Sequence, residues 1–213
     1  MIRVQERQFY AQLTQRLQDE VSLIRKIAAE SVIHHVSPVD PHQIAAALHT
    51  LAKTCHAIAA VMIDHPIINQ AIDELRTRNV PVIALLSDVS SPALAGSIGV
   101  NDWQIGRCAG WFMDRHMLPA PRYAVISGHD MFRCQQTADA GFRSYISSEK
   151  AQASVLPTFF CNEDDATAFD LTQGLLAQTP AITGVFVSGG GIDGVLGALE
   201  RHRGPKPLVV AID

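Results

Sequence analysis

The sequence lacks long apolar runs and closely spaced cysteines. No stretch reaches the roughly 18 apolar residues of a membrane-spanning helix, and the N-terminus becomes charged at once, unlike a secretory signal. The four cysteines include no C-x-x-C pair, so a disulfide framework of the secreted kind is excluded. These absences favour a cytoplasmic protein with reduced, mostly buried cysteines.

An excess of basic charge is also missing. The 17 Lys and Arg residues against 21 Asp and Glu residues leave a net charge of −4, which excludes a dominantly basic nucleic-acid-binding domain. Charged residues make up 18% of the chain and hydrophobic residues 47%, too apolar for a disordered chain. We therefore expect a soluble globular fold of one large domain or two small lobes, with no membrane partner.

Short apolar, β-branched runs alternate along the chain with longer stretches of helical period. The predicted strands are Ser31–His35, Ala57–Ile63, Pro81–Leu86, Tyr123–Ser127, Val155–Phe160, Gly184–Ser188 and Leu208–Ile212. The predicted helices are residues 9–29, 41–55, 66–79, 103–117, 135–149, 164–178 and 191–202. Apolar strands that are separated by single helices are typical of a parallel sheet covered on both faces. The sequence therefore predicts an α/β fold with doubly wound parallel sheets.

Pro119 and Pro121 interrupt the chain between a predicted helix and a predicted strand. Two prolines at such a place favour a linker or a crossing between lobes. We therefore expect an N-terminal lobe over residues 1–119 and a C-terminal lobe over residues 120–213.

The sequence shows no convincing metal site or nucleophile. His42, His49 and His56 recur every seven residues on one face of the helix predicted over 41–55, where a solvated stripe is the better interpretation. A G-x-S-x-G nucleophile elbow is missing, and the neighbouring Ser127 and His129 are too close in sequence for a triad, whose members converge from separate elements. We predict no catalytic residue, no metal and no cofactor, and hence no enzyme.

A glycine-rich loop follows the strand predicted at Gly184–Ser188. The glycines that fit the pattern G-x-G-x-x-G are Gly189, Gly191 and Gly194. Asp213 falls about where a ribose-binding acid would stand, but the motif normally opens a domain and needs further strands beyond the acid. Exposed backbone N–H groups in such a loop also suit any oxygen-rich ligand. An NAD-type enzyme that uses Gly189–Gly194 therefore stays an alternative, and the loop contributes Gly190 and Asp193 to the candidate ligand-binding residues.

Polar side chains collect just past the carboxyl ends of the predicted strands. They are Asp64 and His65, Ser87 and Asp88, His129 to Arg133, Cys161 to Glu163, Ser188 with its glycines, and Asp213. In open α/β sheets ligands bind at this edge. Each residue alone is more often a cap or a loop residue, but their agreement across both halves favours a ligand-binding cleft between two lobes.

Several runs in this chain resemble one protein family. Asp64-His65-Pro66, residues 80–88 and residues 99–109, the last with Asn101 and Asp102, resemble the effector-binding domain of lactose-repressor (LacI/GalR)-type transcription regulators. That domain is itself similar to periplasmic sugar-binding proteins. The resemblance continues through residues 123–128, 140–142, 184–187, 196–199 and 209–213, and so covers nearly the whole chain.

The resemblance implies two lobes of the periplasmic-binding-protein type I fold, with a small effector, commonly a sugar, bound between them. By position, the implied contacts are the aromatic Phe9 and Tyr10, the acids Asp88 and Asp213, Arg133, and Asn162. Carboxylates and amides would accept hydroxyl protons, and an aromatic ring would cover the C–H face of a pyranose. The full predicted effector site adds Asp64, His65, Asn101, Asp102, His129, Gly190 and Asp193.

The sequence departs from the family pattern in three ways: in the headpiece, in the ends of the fold and in two of the expected ligand contacts. The helix-turn-helix headpiece is absent, the first strand is reduced to about Ile2–Val4, and the segments after Asp213 are missing, so we expect a fold that is incomplete at both ends. Ala138 stands where many sugar binders keep an arginine, and Gly190-Gly191 stands near an expected Asn-Asp pair.

The expected function is that of a ligand-sensing domain of a cytoplasmic transcription regulator. Its partners would be a small-molecule effector and a second copy of the chain, with the helix predicted at 66–79 in the homodimer contact. DNA would be bound only through a headpiece that this chain lacks. A periplasmic sugar-transport receptor is the further alternative.

Overall fold

The computed structural model describes residues 8–23, 30–36, 39–115, 120–149, 152–178 and 182–212. It contains two compact units. Unit 1 comprises Met1–Gly99 and Met131–Arg133, and unit 2 comprises Val100–Asp130 and Cys134–Asp213.

Unit 1 contains three parallel strands in the spatial order β1-β2-β3. The strands are β1 (Ile58–Ala60), β2 (Val82–Leu85) and β3 (Gly96–Ile98), and the helices are α1 (Gln8–Leu23), α2 (Pro41–Leu51) and α3 (Pro66–Thr77). Both α2 and α3 begin with a proline, which has no N–H to leave unpaired at a helix start. The residue before each proline caps the helix: Asp40 accepts the N–H groups of His42 and Gln43, and His65 Nδ1 accepts that of Ile67.

Helix α3 packs its apolar face into unit 1. Ile68, Ala71, Ile72 and Leu75 are all buried there. These residues are therefore not available to a second copy of the chain, and the homodimer contact expected on this helix stays a prediction that could involve only its exposed polar face.

Unit 2 contains four parallel strands in the spatial order β5-β4-β6-β7. The strands are β4 (Arg122–Ser127), β5 (Ser154–Phe160), β6 (Gly184–Ser188) and β7 (Leu208–Ile212). The helices are α4 (Asp102–Asp114), α5 (Arg133–Glu149), α6 (Asp165–Gln178) and α7 (Ile192–Arg201). This strand order with single connecting helices confirms the predicted α/β, parallel-sheet fold class.

The centre of the unit 2 sheet is buried on both faces. Tyr123 and Val125 of β4 pack in a cluster with Phe142 of α5, whereas Ala124 and Ile126 pack in a second cluster with residues of α6 and α7. Successive side chains of a strand point to opposite faces, so the two central strands, β4 and β6, are buried almost throughout, whereas the outer strands β5 and β7 are partly exposed.

Helix α4 packs in unit 2 with α5. Ala109 and Met113 of α4 share a buried cluster with Phe142. A Cβ atom at Gly106 would overlap the carbonyl oxygen of Ala138 and lie 2.7 Å from Phe142 N, so the two helix backbones nearly touch. The units divide between residues 99 and 100, which does not coincide with the predicted lobe boundary at 119 and 120.

The predicted strands and the structure differ in two elements, at residues 30–36 and at β3. β6 and β7 have the predicted bounds, but residues 30–36 contain no strand, and Val32 is 53% exposed there with no sheet to bury it. β3 was not predicted, because its Gly96 and Ser97 have low strand propensity. The strand expected at Ile2–Val4 lies outside the described residues. Among the described helices, none is long and apolar enough to cross a membrane.

Candidate functional site

In unit 1, Asp64 lies just past the carboxyl end of β1 and is held by the loop that follows β2. Its Oδ1 accepts the N–H of Ser90 at 3.0 Å and the Nδ2 of Asn69 at 3.0 Å. The Ser90 hydroxyl lies 2.7 Å from each carboxylate oxygen, and the Asp64 N–H donates to the Met131 carbonyl at 3.2 Å. The carboxylate is therefore fixed by two segments of chain, and the Asp64 backbone is held by a third.

Asp64 carries a negative charge at neutral pH. Burial raises the pKa of Asp64, but the hydrogen bonds from Ser90 and Asn69 and the charge of Arg133 together hold it below 3.8. Arg133 Nη1 lies 3.9 Å from Asp64 Oδ2, and the arginine side chain is 46% exposed. An ionised acceptor and a cationic donor thus stand side by side in unit 1.

The Asn69 side chain offers a further acceptor. Its Nδ2 donates to Asp64 and lies 3.3 Å from Ser90 Oγ, so the amide oxygen is on the other side of the group. That oxygen, Oδ1, is buried and has no hydrogen-bond partner among the described residues. An unpaired buried acceptor costs about 1–3 kcal/mol, which a donor on a ligand or a water would recover.

The other predicted residues of unit 1 have local roles. Asp88 is exposed and its Oδ1 accepts the N–H of Val89, while His65 Nδ1 caps α3. Phe9 and Tyr10 pack edge to face, with ring centroids 5.3 Å apart, at the start of α1. Of the predicted set, the structure joins Asp64 to Arg133. Effector binding by the other residues stays a prediction.

In unit 2, one buried amide joins loops at the carboxyl ends of the strands. Gln135 lies in the first turn of α5 and is 8% exposed. Its Oε1 accepts the N–H of His129 at 2.7 Å and the hydroxyl of Ser127 at 3.1 Å, and its Nε2 donates to the Glu163 carboxylate. The hydroxyl of Ser188, at the end of β6, lies 3.4 Å from that of Ser127. We call these five residues the Gln135 cluster.

The loop after β5 has an unusual backbone. Asn162 and Glu163 both have left-handed backbone angles, with φ of 54° and 60°. Asparagine tolerates this region, but glutamate does so at a cost of about 1 kcal/mol. The preceding Cys161 is fully buried and donates its thiol to the Gly190 carbonyl at 3.3 Å. Burial raises the pKa of this thiol, so Cys161 is a protonated packing residue.

Packing accounts for each glycine of the G-x-G-x-x-G pattern. Gly189 and Gly191 have φ of 134° and 91°, a region that L side chains rarely adopt. A Cβ atom at Gly194 would overlap the carbonyl oxygen of Asp165, where α7 crosses α6. Asp193 is exposed in the first turn of α7. The spacing therefore follows from loop geometry and helix contact without a bound dinucleotide.

The remaining predicted residues are placed as follows. His129 Nδ1 lies 3.0 Å from Asp130 Oδ1, and its backbone belongs to the Gln135 cluster. Asn101 caps α4 by accepting the N–H of Gln104 at 3.0 Å. Asn162 is exposed and Gly190 is buried. Asp213 lies outside the described residues.

Asp102, the first residue of α4, should make stability depend on pH. Burial raises its pKa to about 6, against a small opposing effect of its own backbone N–H. Because the folded-state pKa exceeds the unfolded-state value of 3.8, this proton stabilises the fold at low pH, and the contribution is lost as pH rises through about 6. We expect Asp102→Asn to melt at a higher temperature than the original protein at pH 7.5 and at a similar temperature at pH 4.

The exposed Asp193 supplies the control for this measurement. It occupies the first turn of α7, so Asp193→Asn removes a helix-terminal acid without removing a buried charge. Its melting temperature at pH 7.5 should be equal to or slightly below that of the original protein. A pH dependence of the Asp102→Asn variant that matches the original protein would contradict the assignment.

Sequence reasoning missed three residues that hold these sites together. Ser90 and Asn69 fix Asp64, and Gln135 fixes the loops of unit 2. Ser90 follows the polar pair at the end of β2 by two residues, so extending the strand-end rule into the loop would have found it. For Gln135, an ordinary helix residue in the sequence, no such signal exists.

The described residues contain no group of three His, Cys, Asp or Glu side chains that could hold a metal ion. The Asp64 carboxylate is surrounded by hydrogen-bond donors of Ser90 and Asn69 and by the Arg133 guanidinium, and none of these donor groups is a metal ligand.

One family model matches almost the whole chain. Its description is "Periplasmic binding protein domain", and it matches residues 6–213. No curated protein sequence matches the chain at a significant level.

Solved structures of several binding proteins have a similar fold. One is an ABC transporter solute-binding protein from Agrobacterium vitis, bound with alpha-D-tagatopyranose. It is 17% identical to this chain and superposes with a TM-score of 0.85, and the alignment covers 96% of this chain and 72% of the solved chain. A second solute-binding protein from Agrobacterium vitis, with bound D-fucose, is 18% identical and has a TM-score of 0.81. The alignment covers 94% of this chain and 70% of the solved chain. GanP, a glucose-galactose binding protein from Geobacillus stearothermophilus, is 16% identical and has a TM-score of 0.84. The alignment covers 100% of this chain and 76% of GanP.

These matches confirm the predicted periplasmic-binding-protein-like fold. At such low identity the solved structures show the fold alone, so the resemblance to lactose-repressor-type regulators is supported only in the fold that the two groups share. The matched family and the solved structures named above are all described as binding proteins.

Proposed function

This chain belongs to the periplasmic binding protein domain family, and from that premise we propose that it binds a sugar or a related polyhydroxylated molecule, as a receptor. Three proteins of similar fold are described by the sugars they bind. Within this chain the proposal is carried by Asp64, an ionised carboxylate fixed by Ser90 and Asn69 at the carboxyl end of β1.

The hydrogen bonds of Asp64 indicate which atom meets the ligand. Oδ1 already accepts bonds from Ser90 and Asn69, whereas Oδ2 has the Ser90 hydroxyl at 2.7 Å and the more distant Arg133 at 3.9 Å. Oδ2 therefore keeps acceptor capacity for a sugar hydroxyl, and the Arg133 guanidinium supplies donors for a hydroxyl oxygen. A polyol, which both donates and accepts at each carbon, suits this pair.

Thermal shift and calorimetric titration test the proposal directly. The sugars to use are D-tagatose, D-fucose, D-glucose and D-galactose, with NAD⁺ as the representative of the dinucleotide alternative. A sugar that binds the folded protein stabilises it by RT ln(1 + [L]/Kd), so the melting temperature should rise with the logarithm of sugar concentration above the Kd. If none of these sugars binds and NAD⁺ does, the proposed function is wrong.

Replacing Asp64 by asparagine should weaken sugar binding strongly. The variant keeps the size of the side chain but removes the charge, and a hydrogen bond to a charged group contributes about 1.5–3 kcal/mol. We therefore expect the Kd to rise by about 10- to 150-fold in a calorimetric titration. Asp73→Asn is the matched control, because Asp73 is an exposed acid of α3 that accepts the Ser91 hydroxyl at 2.8 Å. An unchanged Kd for Asp64→Asn would exclude Asp64 as a ligand contact.

The runs that resemble lactose-repressor-type effector domains favour a second role, in which the bound sugar controls a transcription regulator. The two roles place the intact protein in different compartments. Fractionation of the intact protein in its own host separates them, because a transport receptor acts outside the cytoplasmic membrane and a regulator acts in the cytoplasm. We expect this chain by itself to show no sequence-selective DNA binding in a filter-binding assay at physiological salt.

A further inference from the structure

The Gln135 amide is the shared partner of two loops. Its oxygen accepts from the backbone of His129 and the hydroxyl of Ser127, and its nitrogen donates to Glu163. The first two belong to the end of β4 and its loop, and Glu163 belongs to the loop after β5. Through the Ser127 hydroxyl, 3.4 Å from that of Ser188, the cluster also reaches the end of β6.

The side chains of this cluster occupy space that is free only because two neighbouring residues, Gly128 and Gly189, have no side chain. A Cβ atom at Gly128 would overlap Glu163 Oε1 and lie 2.7 Å from its Cγ. A Cβ atom at Gly189 would lie 2.8 Å from Gln135 Nε2. Larger residues at the ends of β4 and β6 would therefore displace the side chains that the amide joins.

The cluster also offsets backbone strain. Glu163 is held with φ of 60°, in the left-handed region, next to Asn162 with φ of 54°. Such conformations persist where surrounding contacts over-determine them. The hydrogen bond from Gln135 to the Glu163 carboxylate is one such contact.

We propose that Gln135 is a positioning residue that fixes the carboxyl-edge loops of unit 2 in the conformation that binds ligand. It acts through the backbone of His129 and the carboxylate of Glu163, and thereby sets the positions of His129 and the exposed Asn162. The statement about ligand rests on the proposed sugar-binding function, whereas the statement about the loops stands on the contacts of the cluster alone. Loops that are ordered before binding cost less entropy when the ligand arrives, so losing this order weakens affinity.

The experiment compares Gln135→Met with Thr172→Val. Methionine has nearly the volume of glutamine but cannot make its hydrogen bonds. Thr172 is 1% exposed and its hydroxyl donates to the Ala168 carbonyl within α6, so Thr172→Val removes a buried hydrogen bond that reaches no loop. Both variants are measured by amide hydrogen exchange without ligand and by calorimetric titration with D-tagatose, D-fucose, D-glucose and D-galactose.

Gln135→Met should speed exchange at least tenfold in residues 128–130 and 161–164, and should weaken sugar binding at least tenfold. Thr172→Val should leave loop exchange and affinity within twofold of the original protein, even where it lowers the melting temperature. The inference is overturned if Gln135→Met leaves loop exchange unchanged, or if Thr172→Val changes the loops equally.

A second variant covers the case in which Gln135→Met does not fold. Glu163→Ala removes one arm of the cluster and should speed exchange in residues 161–164 while residues 128–130 keep their protection. If residues 161–164 of Glu163→Ala exchange no faster than in the original protein, the proposal is contradicted. The failure of all four sugars to bind the original protein would count against the sugar-binding function and leave the exchange result as a separate test of the cluster.

Discussion

Replacing Phe142 by alanine should lower the free energy of unfolding by about 3–5 kcal/mol, the range for removing a buried phenylalanine. Phe142 is fully buried in unit 2. Its ring stacks on that of Phe186, with centroids 5.1 Å apart, and meets that of Tyr123 edge to face at 5.9 Å. The variant loses the transfer energy of the ring, leaves a cavity and breaks both ring pairs.

Urea denaturation followed by circular dichroism measures this loss. Phe112→Ala supplies the comparison, because Phe112 is 56% exposed on α4 and should change the unfolding free energy by no more than about 0.5 kcal/mol. A loss below about 1.5 kcal/mol for Phe142→Ala would mean that the contact between α5 and the sheet is not the core that its burial indicates. Gln135 lies in the first turn of the same helix. In the milder variant Phe142→Leu we therefore also expect faster amide exchange in residues 128–130 and 161–164, the loops joined by the Gln135 cluster.

The strands of the buried sheet could be predicted from sequence because their chemistry is local. β6 and β7 are continuous apolar runs with strong strand formers, and their bounds agree with the prediction to the residue. β3 was missed because only pairing with β2 makes Gly96–Ile98 a strand. The tertiary partner, and not the propensity of the segment, determines its conformation.

The boundary between the two units could not be predicted from sequence for a similar reason. A pair of prolines such as Pro119 and Pro121 is a local signal for an interruption of the chain, and the predicted boundary rested on it. The unit to which α4 belongs depends instead on the fit of Gly106 against Ala138, residues 32 positions apart on two different helices. No local pattern distinguishes a glycine in such a crossing from a glycine in a loop.

The strand-end rule located part of the candidate site. It singled out Asp64, His129 and Asn162, which lie where the ends of parallel strands place them. Applied to the strand ends alone, it missed the residues that hold them: Ser90 lies two residues beyond the polar pair after β2, and Gln135 stands 28 positions from Glu163 on a helix. Candidate ligand contacts can be inferred from topology, whereas the residues that position them depend on side-chain packing.

Replacing Gly194 by alanine should lower the free energy of unfolding by about 2 kcal/mol, the upper end of the overpacking cost less the gain in helix propensity. The new Cβ atom would overlap the carbonyl oxygen of Asp165 and lie 2.9 Å from the N atom of Phe169. Both are backbone atoms of the neighbouring helix, so the strain cannot be relieved by rotating a side chain, and overpacking of this kind costs about 1–3 kcal/mol or more. The higher helix propensity of alanine, worth about 1 kcal/mol, offsets only part of the loss.

Gly197 on the same helix is the control, and the pair separates the two interpretations of the glycine motif. A Cβ atom there meets only ring carbons of Phe169, at 3.7 Å and beyond, so Gly197→Ala should be neutral or should stabilise the protein by up to about 1 kcal/mol. Packing predicts a lower urea midpoint for Gly194→Ala and no NAD⁺ binding by either variant or by the original protein. A dinucleotide site predicts NAD⁺ binding by the original protein that Gly194→Ala weakens. Because the contact with Asp165 exists without any ligand, an unchanged urea midpoint for Gly194→Ala would refute the packing explanation whatever the titration shows.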